Sequence, residues 1–256
     1  MKPLPRISVI TPSYNQVDFI EATIQSVLGQ EYPDLEYIII DGGSTDGTVD
    51  IIRKYEDRLI WVSEPDRGQA HAINKGLARA SGAVIAFLNS DDVYAPGALH
   101  AVGAYFAEQP EAQWLTGRCS IIDEKGREIR KAISAYKHFW LEFHSYGVLQ
   151  ILNYISQPAT FWRRSLLDEL GGLKEDLLFT MDYEYWLRIG QQYRLHSLRQ
   201  RLAGFRLYEA SKSGGGYEEQ FAEELAVCRR FASPLAVNLH RLHNALILAV
   251  YRRQRR

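Results

Sequence analysis

Four short apolar runs, each followed by a stretch with helical spacing, constrain this chain more than any other feature. "RISVIT" (6–11) is β-branched and stopped by Pro12, and "EYIIID" (36–41) is ended by the turn sequence "DGGSTDGT". "LIWVS" (59–63) and "AVIAFL" (83–88) complete the set. Runs of this length and composition read as buried strands. Between them, Ile20, Ile24, Val27 and Leu28 recur at helical spacing, a short helix follows the second run, and Ile73, Leu77 and Ala80 share one face of a helix over 69–80. Another helix is expected from Pro96, with Leu99, Val102 and Phe106 on its buried side. Continuous apolar strands alternating with amphipathic helices predict an α/β fold with a mainly parallel, Rossmann-like sheet flanked by helices.

In such sheets ligands bind beyond the carboxyl ends of the strands. Pro12–Asn15, Asp41–Asp46, Glu64–Gly68 and Asn89–Asp92 would all meet at that edge. Strand ends need polar turns in any case, but four clusters converging on one edge predict a site.

The second half reads differently. "WLTGRCSIIDEKGREIRKA" (114–132) has the pattern of an antiparallel hairpin around Asp123–Gly126. Residues 136–163 are rich in aromatics with no clean period. "MDYEYWLRIGQQ" (181–192) reads as helix, "SLRQRLAGFRLYE" (197–209) as strand, "ASKSGGGYEE" (210–219) as an exposed flexible loop, and the tail from 218 as helix.

Length and composition narrow the class. A chain of 256 residues can bury a full core, and a net charge of -1 gives no sign of a nucleic-acid partner. Two distant cysteines, Cys119 and Cys228, make no disulfide framework and suggest a reducing, cytoplasmic setting. The N-terminus does not read as a signal peptide, and no run approaches the length of a membrane span. There is no Gly-x-Gly-x-x-Gly fingerprint, no Walker lysine loop and no Gly-x-Ser-x-Gly elbow. The seven histidines lack convincing zinc spacing, and His240 and His243 read as a solvated helix face.

Asp91 and Asp92 remain. Adjacent carboxylates at the end of a buried strand repel each other, and they suit a hard divalent cation such as Mg²⁺ or Mn²⁺ that keeps open positions for phosphate oxygens. Either aspartate could instead cap the helix that begins near Pro96. Sequence alone leaves both readings open.

"ISVITPSYN", "YIIIDGGSTDGT", "EPDRGQAHAINKGLARASG", "AFLNSDDVYAPGAL" and "MDYEYWLR", in this order and spacing, resemble the family-2 glycosyltransferases of GT-A fold. The likeness is nearly continuous over 7–99, extends to about 190 and fades by "GFRLYEASKS". It implies a nucleotide-diphospho-sugar donor (a UDP-sugar first among them), a divalent metal (Mn²⁺ or Mg²⁺) and inversion at the anomeric carbon. The acceptor would be a glycan or a lipid-linked molecule in polysaccharide or glycolipid synthesis.

Carried over residue by residue, the resemblance makes Asp91 and Asp92 the metal and diphosphate residues, with Asn89 where an aspartate is common. Thr11, Pro12, Tyr14 and Asp41 would hold the nucleoside, with Gly42 where many relatives have a second aspartate. Gln69 and Asn74 would add donor contacts, and His71 receives no role. Asp182 would be the general base and Glu184 the fallback, although a helix start should lower the pKa of Asp182 and weaken it. Tyr208 stands where relatives often have histidine. Trp140, Trp162, Tyr183, Tyr185 and Trp186 could floor an acceptor site, but most read as core.

The expected organisation is a GT-A domain over 1–215, with a donor half to about 115 and a smaller mixed acceptor half over 116–215. A helical tail over 216–256 follows. Its apolar stretch and basic terminus could lie on an anionic membrane, on the domain or on a second subunit. A non-catalytic nucleotide- or glycan-binding relative is the alternative. A sugar nucleotidyltransferase would need a Gly- and Arg-rich first loop, which "TPSYNQ" is not.

Overall fold

The computed structural model describes residues 2–209 and 211–254. In chain order the first half, the expected donor half, comprises β1 (Ile7–Ser13), α1 (Ile20–Leu28), β2 (Leu35–Asp41), α2 (Thr48–Arg53), β3 (Ile60–Ser63), α3 (Gln69–Arg79), β4 (Val84–Phe87), β5 (Val93–Tyr94) and α4 (Ala98–Glu108). The second half, the expected acceptor half, adds β6 (Trp114–Ile122), β7 (Glu128–Ile129), α5 (Lys131–Glu142), α6 (Tyr146–Ile151), β8 (Thr160–Arg163), α7 (Ser165–Leu170), α8 (Met181–Gly190) and β9 (His196–Arg206). Three helices follow: α9 (Lys212–Gly215), α10 (Tyr217–Phe231) and α11 (Pro234–Gln254).

The strands form one sheet in the order β3-β2-β1-β4-β8-β6-β9-β5, with β7 paired to β6. The first four strands are parallel to one another, as their apolar runs predict. β8 turns the sheet antiparallel to both β4 and β6, while β9 runs parallel to β6, so the second half is mixed. β3 is an edge strand with Ile60 49% exposed, so its apolar run is not buried as expected.

Alternation along each strand builds two apolar layers. Ile7 and Val9 of β1, Tyr37 and Ile39 of β2, and Val84 and Ala86 of β4 face α1 and α4. Ile10, Ile38, Ile40, Ile85 and Phe87 face the opposite way, onto α3 and the aromatic core of α8. Trp162, Tyr183, Tyr185 and Trp186 are fully buried there, which settles them as core.

Two expectations change. "ASKSGGGYEE" is not a free loop: apart from Ala210, which lies outside the described residues, it contains α9 and the first turn of α10, with Ser211 buried. The hairpin at 114–132 forms, but its second strand is only β7, because α5 takes over at Lys131. The helices after 216 pack on the acceptor half, and Val227 and Cys228 of α10 join the core with α8. No helix among the described residues is long and apolar enough to cross a membrane.

Close approach of α3 to β1 is what brings the α3 N-terminus to the cavity edge. A Cβ on Gly76 would meet the side chain of Ile10. Gly76→Ala should therefore destabilise the fold by about 1–3 kcal/mol through overpacking. An unchanged midpoint in a denaturant melt would contradict that packing.

Candidate active site

A cavity of about 820 Å³ opens at the carboxyl ends of β1, β2 and β4, and the acceptor half closes its far side. Its donor wall is made by two loops that fasten each other. Asn15, at φ 49°, accepts from the Thr45 amide (2.9 Å), and its own amide donates to Ser44 Oγ (2.8 Å). The Gln16 amide donates to Thr48 Oγ1 (2.8 Å) and the Val17 amide to Asp46 (3.0 Å).

Pro12 and Tyr14 line the cavity, and the Tyr14 ring is 62% exposed. Thr11 and Asp41 do not line it. Thr11 is buried and bonded to the Tyr37 hydroxyl (3.1 Å). Both Asp41 oxygens are occupied: the carboxylate accepts from the Gly43 and Ser44 amides (3.0 and 2.9 Å), the Ser44 hydroxyl and Ser63 Oγ (2.6 Å). Asp41 therefore shapes the turn rather than presenting a free oxygen.

The carboxylate that does reach this corner is Asp66. A Cβ on Gly42 would lie 2.6 Å from Asp66 Oδ2 and 3.3 Å from the Tyr14 ring, so glycine is what lets the two approach. Asp66 escaped the sequence reading although it sits inside the quoted "EPDRGQ", two residues before Gly68. A glycine at 68, just ahead of the expected helix over 69–80, was the available signal, and Gly68 does take φ 114° there.

Gln69 lines the cavity and bridges its two halves, donating to Asn89 Oδ1 (2.7 Å) and accepting from Lys212 Nζ (2.8 Å). Asn74 does not reach the cavity. Its side chain is used on the amide and carbonyl of Leu173 (both 2.9 Å) and on Glu175 (3.1 Å), as a staple between α3 and the loop after α7.

The two adjacent aspartates divide the work. Asp92 is fully buried and faces inward, accepting from the Arg206 amide (2.7 Å) and the Asn89 side chain (3.3 Å). Asp91 lines the cavity, and its carboxylate accepts from the Tyr208 hydroxyl (3.2 Å). Neither caps a helix: β5 intervenes, and α4 starts after Gly97 with no side-chain cap. Arg206 holds the turn by donating to the carbonyls of Asp91, Asp123 and Glu124 (2.7, 2.8 and 2.9 Å). Burial raises both aspartate pKa values, and the charge of Asp91 pushes Asp92 further. Burial and Asp91 push the Tyr208 phenol up to about 12, so it stays a donor at neutral pH.

These residues fit a divalent ion of low protein coordination. One carboxylate faces the cavity, a second lies behind it, and among the described residues no group of three or more His, Cys, Asp or Glu side chains could enclose an ion. Most positions on an ion held at Asp91 would be left to water and phosphate oxygens.

On the acceptor side Asp182 lines the cavity from the first turn of α8, accepting from the Tyr183 amide (2.8 Å). The lowered pKa expected from a helix start is not what results. Burial raises it and outweighs the opposing amide bond and the Lys137 charge. Glu184 points elsewhere: it is buried against Arg188 (2.8 Å), which also donates to the carbonyls of Leu170 and Gly172 (2.6 and 2.8 Å). It does not line the cavity and cannot serve as the fallback base.

The surroundings of Asp182 were not legible beforehand. Glu223 of α10 accepts from the amides of Leu178, Phe179 and Thr180 (3.0, 2.8 and 2.8 Å) and so fixes the start of α8. Lys137 of α5 lines the cavity, donates to the Ile155 carbonyl (3.3 Å) and interacts electrostatically with Asp182 and Glu224. Burial pushes the carboxyl of Glu224 up to about 8.

A cavity at the strand ends of a mixed α/β sheet, faced by the carboxylates of Asp66, Asp91 and Asp182, is an arrangement of GT-A type. The family model described as "Glycosyl transferase family 2" matches residues 8–171, and the chain belongs to that family. TuaG of Bacillus subtilis, named for teichuronic acid biosynthesis, is 44% identical over 135 residues, covering 51% of this chain and 53% of TuaG. The chain thus spans about half the length of that relative. Staphylococcus aureus TarS 1-349, solved with UDP-GlcNAc, superposes with a TM-score of 0.67 at 19% identity, covering 87% of this chain and 65% of that one. The mannosyltransferase PcManGT of Pyrobaculum calidifontis, solved with GDP-Man and Mn²⁺, gives 0.66 at 22% identity over 95% and 69%.

The Glu224 carboxyl makes a prediction about stability. Its folded pKa is raised from 4.5 to about 8, so its contribution is complete below pH 4.5 and is lost as pH rises towards 8. At its steepest one proton is worth about 1 kcal/mol per pH unit, or a few °C in Tm for a chain of this size. Over the two units from pH 6 to the folded pKa this is roughly 5–10 °C, and Glu224→Gln should remove about that much of the fall in Tm between pH 6 and 8.5. An identical fall in wild type and variant would mean that Glu224 is ionised throughout.

Proposed function

We propose that this protein transfers a sugar from a nucleotide-diphospho-sugar to an acceptor hydroxyl with inversion, in the synthesis of a polysaccharide or glycolipid. The observation that carries the reading is the pairing, across one cavity, of outward-facing Asp91 with Asp182. TarS with UDP-GlcNAc and PcManGT with GDP-Man and Mn²⁺ support a nucleotide-sugar donor and a divalent metal. TuaG supports a polysaccharide product, with a glycan or lipid-linked acceptor.

The nucleoside lies at the corner of Pro12, Tyr14 and Gly42, with its base against the Tyr14 ring and the free oxygen of Asp66 accepting a base N–H. The diphosphate runs to Asp91, beside Lys212. Asp91 would hold a Mg²⁺ or Mn²⁺ ion, which would supply Lewis-acid stabilisation for a departing diphosphate. Asp182 takes the proton of the acceptor hydroxyl, whose oxygen forms the new bond to the anomeric carbon as the bond to the diphosphate oxygen breaks. Its raised pKa makes it a stronger base than an exposed aspartate. Among the described residues, the acids lining the cavity are Asp66, Asp91 and Asp182. With a single carboxylate on the acceptor side to act, a one-step displacement and hence inversion is favoured over a covalent glycosyl intermediate.

A thermal-shift panel of UDP, GDP, CMP and dTDP with Mn²⁺ tests the donor site, and one nucleotide should stabilise the chain by about 5–10 °C at a hundredfold excess over Kd. No shift with any of the four would remove the reading. Gly42→Ala should abolish that shift without lowering the ligand-free Tm by more than a few °C. Asp182→Asn should lower kcat by about 10²–10⁴ while leaving the shift intact. Full turnover in that variant would remove Asp182 as the base.

A further inference from the structure

Helix α11 buries polar side chains and leaves leucines in solvent. Its buried side carries His240 and Asn244, with His240 Nδ1 3.2 Å from the Gln150 carbonyl and Asn244 Nδ2 3.0 Å from His240 Nε2. Its solvent side carries Leu239, Leu242 and Leu246, which are 42%, 59% and 61% exposed. These leucines lie three and four residues apart and so form one stripe. A water-facing helix normally has the reverse arrangement.

A second apolar stripe lies alongside. Tyr136 of α5 stacks on His243 with ring centroids 6.1 Å apart, and its hydroxyl is 3.0 Å from His243 Nε2. Phe139 and Phe143 continue that stripe and are 54% and 61% exposed. Contiguous exposed apolar surface rimmed by polar groups marks an interaction site.

Charge selects the occupant. From residue 225 to 256 the sequence holds seven arginines and no aspartate or glutamate. The rest of the chain holds 23 Lys and Arg against 31 Asp and Glu, so the cationic charge is concentrated in this segment. Two copies joined symmetrically through this region would bring together two segments of the same net positive charge. An anionic lipid surface accepts both the basic segment and the leucines and aromatics at its interface.

We propose that the outer faces of α5 and α11 form one docking surface for an anionic lipid bilayer, which holds the acceptor side of the cavity at the membrane. The opposite face of α5 supplies Ile133, Ser134 and Lys137 to the cavity wall, so one helix separates bilayer from site. Lipid binding stands on the surface alone. That the acceptor is lipid-linked rests on the transferase reading above.

The test is sedimentation of the full chain, without donor, with vesicles of phosphatidylcholine alone or with about 30% phosphatidylglycerol. Wild type should bind the anionic vesicles, weaken with added salt and bind neutral vesicles poorly. Leu239→Glu/Leu242→Glu/Leu246→Glu, and separately Phe139→Ser/Phe143→Ser, should each reduce binding about tenfold or more. Unchanged Tm in both variants would show that the folds are intact. Failure of wild type to bind, or binding unaffected by both variants, would overturn the proposal. So would a concentration-dependent dimer that the leucine variant makes monomeric while vesicles are ignored. Because the readout involves no turnover, its failure leaves the glycosyl-transfer reading standing, and loss of transfer with vesicle binding intact would count against that reading alone.

Discussion

Two carboxylates side by side at the end of a buried strand are tolerable only if each is occupied, and the molecule is arranged around that requirement. Asp92 turns inward and receives the Arg206 amide, joining the end of β4 to β9. Asp91 is thereby turned outward, with the Tyr208 phenol against it. Arg206 reinforces the join through three carbonyls and by lying 5.0 Å over the ring of Phe19. The step between donor and acceptor halves and the aim of the cavity carboxylate thus share one set of bonds. Substitutions at Asp91 and Asp92 should differ in kind, since one faces the cavity and the other holds the backbone.

The acceptor side depends on a comparable arrangement made by α10. Glu223 holds the backbone that leads into α8, and Glu224 lies buried near Lys137 and Asp182. A helix late in the chain therefore helps to fix where Asp182 stands. Lys212, three residues before the end of α9, reaches back to Gln69 on the donor side. These contacts explain why a glycine-rich segment between β9 and α10 is folded.

Much of the donor half was legible because its signals are local. β1, β2 and β4 announce themselves by continuous apolar runs, and α3 and α4 by spacing that turned out to mark the buried face. β3 was harder: "LIWVS" has a buried strand's composition but lies at the sheet edge, and position within a sheet is a long-range property. The Asp91–Asp92 pair was visible as chemistry, while its division into an inward and an outward member depends on β9, more than a hundred residues away. Asp66, Lys137, Glu223 and Glu224 are isolated charges in sequence that only tertiary packing brings to the site. Asn74 and Glu184 misled for the same reason, since Leu173, Glu175 and Arg188 claim their side chains.

The central claim is that Asp91, and not Asp92, meets a metal that arrives with the nucleotide. Calorimetric titration of the stabilising nucleotide, with Mn²⁺ and with EDTA, into wild type, Asp91→Asn and Asp92→Asn tests it most directly. The account predicts that metal tightens binding to wild type about tenfold or more and that Asp91→Asn loses this gain with its Tm preserved, whereas Asp92→Asn lowers Tm first. Equal metal enhancement in wild type and Asp91→Asn would contradict it.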